Sequence, residues 1–411
     1  MMASIPSPRK KIENRGSNIA RPPGRGQAMR KCRTLVPRLM AWYVRSARDL
    51  PWRRTNDPYA LWISEVMLQQ TQVKTVIRYW ERWLRALPDV RALARATPER
   101  VLKLWEGLGY YSRARNLQKA AQQIVARHGG RFPKSFDDVL ALPGVGRYTA
   151  GAICSIGFNQ SVPVLDGNVI RVLTRVFGIR QNPRKKATNA RLWRLAEQLV
   201  THGASHPIRQ PFGACSVLNQ SLMELGATVC TPRQPQCASC PVRTSCVASA
   251  QNLVQTLPNL GRRARPTARR FVAFVIERGG KFLVRQRPSA VVNAWLWEFP
   301  NVEVSEAASE LTHLARRQLG LALGRTQRLC VIQHSITRYR ISLEARLAQH
   351  TQPVAAEPLE GRWLLLRDLE KLAFPSAHRR IVDALIERAE GVGVQVTGQQ
   401  ASRPAEVKVG R

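Results

Sequence analysis

The sequence predicts a multidomain protein, an all-α N-terminal domain followed by a smaller α/β (α+β) domain. Three observations carry this. Residues 34–250 hold apolar residues at helical spacing, broken by Gly and Pro turns; residues 271–388 change to strand-like apolar runs; and four cysteines cluster near the end of the first segment. With 411 residues, 44% of them hydrophobic, the chain can build two or three cored domains. No apolar run reaches the roughly 18–20 residues that span a bilayer, and the start lacks a signal-peptide pattern. The expectation is a soluble intracellular protein with no membrane partner, in the nucleoid-associated cytoplasm if the host is bacterial. A net charge of +38 calls for a polyanion partner, although a generally Arg-rich proteome would leave the same excess.

Residues 1–33 carry Glu13 as their only acid and show no apolar period. They read as a disordered basic tail, with Met29 an alternative start. A first helix follows over 35–48, then a loop through Leu50-Pro51-Trp52-Arg53-Arg54. Asp57 and Pro58 open the next helix as N-cap and first-turn residue. Leu61, Trp62, Val66 and Met67 form its buried face, and Glu65 lies within a turn of Leu61, Trp62 and Leu68. A carboxyl among apolar neighbours holds its proton towards neutral pH; a solvated Glu on an amphipathic helix fits the same residues. Helical spacing recurs at Val76, Ile77, Trp80, Trp83 and Leu84. In Gly107-Leu108-Gly109-Tyr110-Tyr111-Ser112-Arg113-Ala114-Arg115, glycines beside tandem tyrosines suit a loop that pushes a ring between base pairs, with Arg113 and Arg115 reaching for phosphates.

Ser135 caps a short helix over 136–142. The segment Leu142-Pro143-Gly144-Val145-Gly146-Arg147-Tyr148-Thr149 then reads as a tight hairpin feeding another helix. Gly144 and Gly146 let the main chain approach a ligand, and the amides opening the helix suit one phosphate of a DNA backbone. An ordinary Gly-rich turn fits this segment equally well. Val164-Leu165-Asp166-Gly167-Asn168 precedes a helix over 169–177, and 216–226 forms a helix with Asn219 and Gln220. The cysteines fall at Cys230, Cys237, Cys240 and Cys246, with six, two and five residues between them. One close pair rather than two favours a cubane [4Fe-4S] cluster over a four-thiolate zinc site, which stays the alternative.

Taken together, the hairpin, Asp166 and Trp62-Ile63-Ser64-Glu65-Val66-Met67-Leu68-Gln69-Gln70-Thr71-Gln72-Val73 resemble the adenine DNA glycosylases of the MutY family, within the helix-hairpin-helix/Gly-Pro-Asp superfamily. The resemblance implies a helix-hairpin-helix glycosylase core and a Nudix-like C-terminal domain. It makes Glu65 the general acid and Asp166 the carboxylate beside the sugar, with Tyr148 hydrogen-bonding near Asp166 and Asn168 placing water. Arg53 and Gln220 would contact the everted adenine; Gln70, framed by Gln69 and Thr71, and Tyr110 would wedge into the helix. The cysteine spacing is also the one seen in the iron–sulfur glycosylases. The lyase branch of the superfamily carries Lys where this chain has Tyr148, and a phenol forms no Schiff base. Substrates implied are A:8-oxoguanine and A:G mispairs in double-stranded DNA, acted on by a monomer. A bifunctional pyrimidine-lesion glycosylase/lyase is opposed by Tyr148, and a non-catalytic lesion sensor by the presence of both Glu65 and Asp166.

The predicted domain limits are 34–250 for the glycosylase part, 251–270 for a linker, 271–388 for the Nudix-like part and 389–411 for a disordered tail. Relative to the family, 201–214 reads as an insertion with His202 and His206 in a loop. In the C-terminal part, Arg316-Arg317-Gln318 occupies the place where a catalytic Nudix helix needs its metal-binding carboxylates, so no pyrophosphohydrolase activity is expected. The family's lesion-reading Phe-Ser-His triplet aligns with Ile336-Thr337-Arg338, where Thr337 supplies the hydroxyl and Arg338 a charge in place of the imidazole.

Overall fold

The computed structural model describes residues 25–208, 213–261, 265–289, 291–304, 311–320, 323–336, 338–350 and 361–391. Its first part is helical: α1 (Arg25–Ser46), α2 (Pro58–Leu68), α3 (Val73–Ala86), α4 (Val90–Arg95), α5 (Pro98–Trp105), α6 (Ser112–His128), α7 (Phe136–Leu140), α8 (Arg147–Ala152), α9 (Gly167–Val176), α10 (Lys186–Ala204), α11 (Ala214–Glu224) and α12 (Val247–Ala250). After α8 and after α11 the helix widens to π geometry, over Ile153–Gly157 and Leu225–Val229.

Two expectations are corrected here. Helix α1 begins at Arg25, so residues 25–33 are helix rather than disordered tail. Cys32, Leu35, Val36, Leu39, Met40 and Tyr43 recur at helical spacing and are all buried, and Lys31 Nζ donates to the Val176 carbonyl at 2.6 Å. Helix α10 runs through Ala204 with Leu199, Val200 and Gly203 buried, so residues 201–204 finish a packed helix instead of forming a loop.

Helix α2 lies between two apolar clusters. Trp62, Ile63, Val66 and Met67 join Trp83 and Trp105 in one; Leu61 joins Leu39, Val169, Leu173 and Leu218 in the other. Its start is fixed by the Asp57 carboxylate, which accepts from the amides of Tyr59 and Ala60 with Pro58 in the first turn. Burial on almost every side leaves this helix no polar face.

The second part is a mixed sheet of strands β1 (Thr267–Arg278), β2 (Lys281–Gln286), β3 (Trp297–Glu298), β4 (Asn301–Glu303), β5 (Leu323–Ile336), β6 (Tyr339–His350) and β7 (Arg362–Leu365), in the order β3-β2-β1-β6-β5, with β4 on β1 and β7 on β2. β1 and β6 run parallel from the pairing of Thr267 with Tyr339; the other pairings are antiparallel. Helices α13 (Leu311–Leu319), α14 (Leu366–Leu369) and α15 (Ser376–Ala389) complete the domain. α15 places Ile381, Val382 and Leu385 over one face, and α13 places Ala315 and Leu319 over the other.

The two parts touch through their cores: Leu296 and Ala373 belong to the same apolar cluster as Trp62 and Trp105. No helix among the described residues is long and apolar enough to cross a membrane.

At the hairpin between α7 and α8, Gly144 sits at φ +76° and a Cβ there would lie 2.6 Å from Asn116 Cβ. Gly146 has open space around the same position. Gly144→Ala is expected to lower the unfolding free energy by about 1–3 kcal/mol in urea denaturation, and Gly146→Ala by under about 1 kcal/mol. Equal losses would show that hairpin strain is not the controlling term.

Candidate active site

Glu65, on the last turns of α2, is 6% exposed. The Tyr148 hydroxyl donates to its Oε2 at 2.6 Å, and Met223 Sδ lies 3.4 Å from the same hydroxyl. Tyr148, on the first turn of α8, therefore bonds to Glu65 while lying close enough to Asp166 to feel its charge. Burial pushes the Glu65 carboxyl up to about 7; the Tyr148 hydrogen bond opposes this, the Asp166 charge adds to it, and the nearby Arg53 charge opposes it. Burial and both neighbouring carboxylates drive the Tyr148 phenol well above its ordinary value, so it remains a donor.

Asp166 is the N-cap of α9, its Oδ1 accepting from the Val169 amide at 2.7 Å. Asn168 Nδ2 donates to Oδ2 at 2.8 Å. Burial raises this carboxyl as well, but the Val169 and Asn168 donors and the Arg171 charge pull it back. The two acids thus share a desolvated setting and differ in their partners. Each has a cation nearby, Arg53 or Arg171, but Glu65 accepts from one phenol while Asp166 accepts from an amide and a carboxamide. That asymmetry favours a proton on Glu65 and a negative charge on Asp166.

Asn168 in turn accepts from Arg171 Nη2 at 2.8 Å, and Arg171 also reaches the carbonyls of Gly226 and Cys230, both at 2.7 Å. The approach is close: a Cβ on Gly226 would stand 2.6 Å from Asn168 Cβ.

Arg53 and Gln220 are both engaged within the protein. Arg53 Nη2 pairs with Glu224 Oε2 at 2.7 Å, alongside Arg48, and its Nη1 donates to the Arg48 carbonyl. Burial alone would raise Glu224, but hydrogen bonds from Arg48 and Arg53 bring it down to about 2. Gln220 accepts from Tyr43 Oη at 2.9 Å and donates to Ser216 Oγ at 3.1 Å.

Gln70 and Tyr110 stand exposed at φ +59° and +47°. Such angles are uncommon outside glycine and cluster at functional sites. Both loops hang on one residue that sequence reasoning assigned elsewhere. Arg113 is 8% exposed and donates to the carbonyls of Val66, Met67 and Gln69 and of Leu108 and Gly109, and more weakly to Thr71 Oγ1. Its desolvation lowers it to about 10. The phosphate role expected for Arg113 is replaced by a staple between the end of α2 and the Tyr110 loop. Arg115 Nη1 likewise turns to the Ala294 carbonyl at 2.9 Å.

Cys230, Cys237, Cys240 and Cys246 line one small cavity with Val229, Val242 and Arg175. In the sheet domain, Arg338 is exposed at the β5–β6 turn and lies over the Tyr339 ring, with Nη2 3.0 Å from Tyr339 Oη; Thr337 lies outside the described residues.

Comparison with known proteins follows this architecture. Residues 63–198 match the HhH-GPD superfamily base excision DNA repair protein model, and 272–384 match the NUDIX domain model. An adenine DNA glycosylase of Homo sapiens is 35% identical over 90% of this chain and 77% of its own length. The chain belongs to the adenine DNA glycosylase family. A rat adenine DNA glycosylase is 37% identical over 86% of this chain and 78% of its own. A solved thermostable thymine-DNA glycosylase is 30% identical, with a TM-score of 0.48, covering 54% of this chain and 98% of that one. The first model's span takes in Glu65, Tyr148, Asp166 and Asn168 of this adenine DNA glycosylase family member.

The Glu65 carboxyl has a higher pKa in the fold, about 7, than its ordinary 4.5. The native state therefore holds this proton more tightly; the stability tied to it is present below about 4.5 and lost as pH rises through about 7. Glu65→Gln is expected to gain stability relative to the parent by about 3 kcal/mol between pH 4 and pH 8 in denaturant titrations. A pH-independent difference would remove the desolvated-acid assignment.

Proposed function

We propose that the chain hydrolyses the N-glycosidic bond of adenine mispaired with 8-oxoguanine or guanine in double-stranded DNA, and leaves the strand uncut. The observation that carries this is the buried Glu65 carboxyl, bonded by the Tyr148 hydroxyl and raised to about 7, set against Asp166, which accepts from the Val169 amide and from Asn168. Extruding a base costs a few kcal/mol, least where the pair is already mismatched. Exposed Gln70 and Tyr110 would fill the gap left in the stack.

Neutral adenine departs far more easily than its anion. Glu65 would donate its proton to adenine N7 as the C1′–N9 bond stretches. The sugar then gains oxocarbenium character, and Asp166 stabilises it electrostatically or through a transient covalent bond, as paired carboxylates divide labour in glycosidases. Held as a helix cap and by Asn168, Asp166 needs little rearrangement to meet that charge. Asn168 would also help orient the water that completes hydrolysis. With Tyr148 in the position of the lyase Lys, no amine is available there for Schiff-base formation.

The four cysteines would hold a [4Fe-4S] cluster. They line one cavity. One close pair, Cys237 and Cys240, with six and five residues to the outer two, favours a cube in which each sulfur takes its own iron over zinc. Bound there, the cluster would shape the loop carrying Arg233 and Arg243 for DNA docking. The Nudix-like domain would read the opposite base through the β5–β6 turn with Thr337 and Arg338. Exposed Arg316, Arg317 and Gln318 on α13 stand where pyrophosphate chemistry needs carboxylates. We propose a monomer, in the nucleoid-associated cytoplasm if the host is bacterial.

In single-turnover assays on an A:8-oxoguanine duplex, the parent chain is expected to release adenine. Glu65→Gln should slow release by about 10²–10⁴-fold while retaining duplex affinity, and borohydride should trap no covalent adduct. Full release by that variant, or an adduct at lyase levels, would overturn the mechanism. Purified protein should carry about four iron atoms per chain, with Cys237→Ser reducing that content; stoichiometric zinc would sink the cluster assignment.

A further inference from the structure

The loop between α5 and α6 that carries Tyr110 is poorly able to hold its own shape. Gly107, Gly109 and Tyr110 all have positive φ, at +99°, +69° and +47°. It is fixed from outside, and from two directions. The helical domain supplies Arg113 to the Leu108 and Gly109 carbonyls, Trp105 Nε1 to the Gly109 carbonyl at 3.0 Å, and Tyr79 Oη to the Glu106 carbonyl at 2.8 Å.

The other direction is the C-terminal domain. Glu106 Oε1 accepts from the Phe374 amide at 2.9 Å and from Arg379 Nε at 2.8 Å. Its Oε2 takes Lys103 Nζ at 2.6 Å, and the same ammonium reaches the Leu372 carbonyl at 3.0 Å. Tyr111 Oη accepts from the Gly107 amide and donates to the Phe374 carbonyl, both at 3.2 Å. One peptide position of the second domain, Phe374, therefore grips the loop on both sides of Tyr110: its N–H holds residue 106 and its C=O holds residue 111. Phe374 is itself fully buried and stacked on Phe299 in the sheet domain's core. A carboxylate 13% exposed, receiving two cations and an amide, makes charge-assisted bonds that water screens weakly.

We infer that Glu106 is a positioning residue, through which the C-terminal domain sets how Tyr110 enters DNA. A domain that reads one strand of a duplex is thereby tied to the ring that opens the stack. This inference rests on the proposal that Tyr110 is the intercalating residue.

The test is a double-mutant cycle on the full-length chain. Glu106→Gln keeps the shape and one acceptor but loses the charge; Arg379→Met removes the cation from the other domain. Each is made with Tyr110 intact and with Tyr110→Ala. The readouts are unstacking of a 2-aminopurine placed as the mispaired purine, the single-turnover rate of adenine release, and the melting temperature. With Tyr110 present, each variant is expected to lower unstacking and rate by about tenfold; in the Tyr110→Ala background the same change should cost less than about twofold. Equal losses in both backgrounds would show that Glu106 only holds the domains together, and would overturn the inference, as would no loss in either. Either variant alone decides the matter if the other fails to fold. Tyr110-dependent unstacking without adenine release by the parent chain would refute the glycosylase reading and leave the clamp standing.

Discussion

The structure depends on withholding water from one carboxyl. Glu65 sits on a helix that has apolar cores on both flanks, and a single phenolic hydrogen bond is its main polar contact. Much of the helical domain serves this arrangement. The Asp57 cap fixes where α2 starts, and the Arg113 staple fixes where it ends. Without both, the carboxyl would be freer to reach solvent and its proton would leave at lower pH.

That asymmetry is built from short-range bonding more than from burial. Both carboxyls are raised by desolvation. Asp166 is drawn back because capping a helix and accepting from Asn168 both favour an anion. Asn168 and Arg171 then carry the constraint on to Gly226 and Cys230, so the geometry of the anion is fixed as far as the first cysteine of the cluster loop. The π-widened turn over Leu225–Val229, with Cys230 as its C-cap, presents these two carbonyls to Arg171.

Local signals in the sequence were legible where the chemistry is local. Asp57 and Ser135 read as helix starts and each caps a helix, whereas the Asp166 cap emerges only from the structure. The change from helical to strand period near residue 270 marks the sheet domain, whose β1 starts at Thr267. The start of α1 was hidden because Arg and Lys obscure the stripe that begins at Cys32, whose partners lie on α9, α10 and α11. The role of Arg113 is hidden for a related reason: in an Arg-rich chain nothing distinguishes a guanidinium aimed at phosphate from one whose carbonyls come from a helix end more than forty residues away. Glu106 carried no signal at all, since its partners Phe374 and Arg379 become neighbours only when the two domains meet.

Leu296 and Ala373 lie in the same apolar cluster as Trp62 and Trp105. The hydrophobic interior thus crosses, at these two residues, the border drawn along the polypeptide. A fragment ending before β1 would expose apolar surface that the intact molecule conceals, and would tend to self-associate.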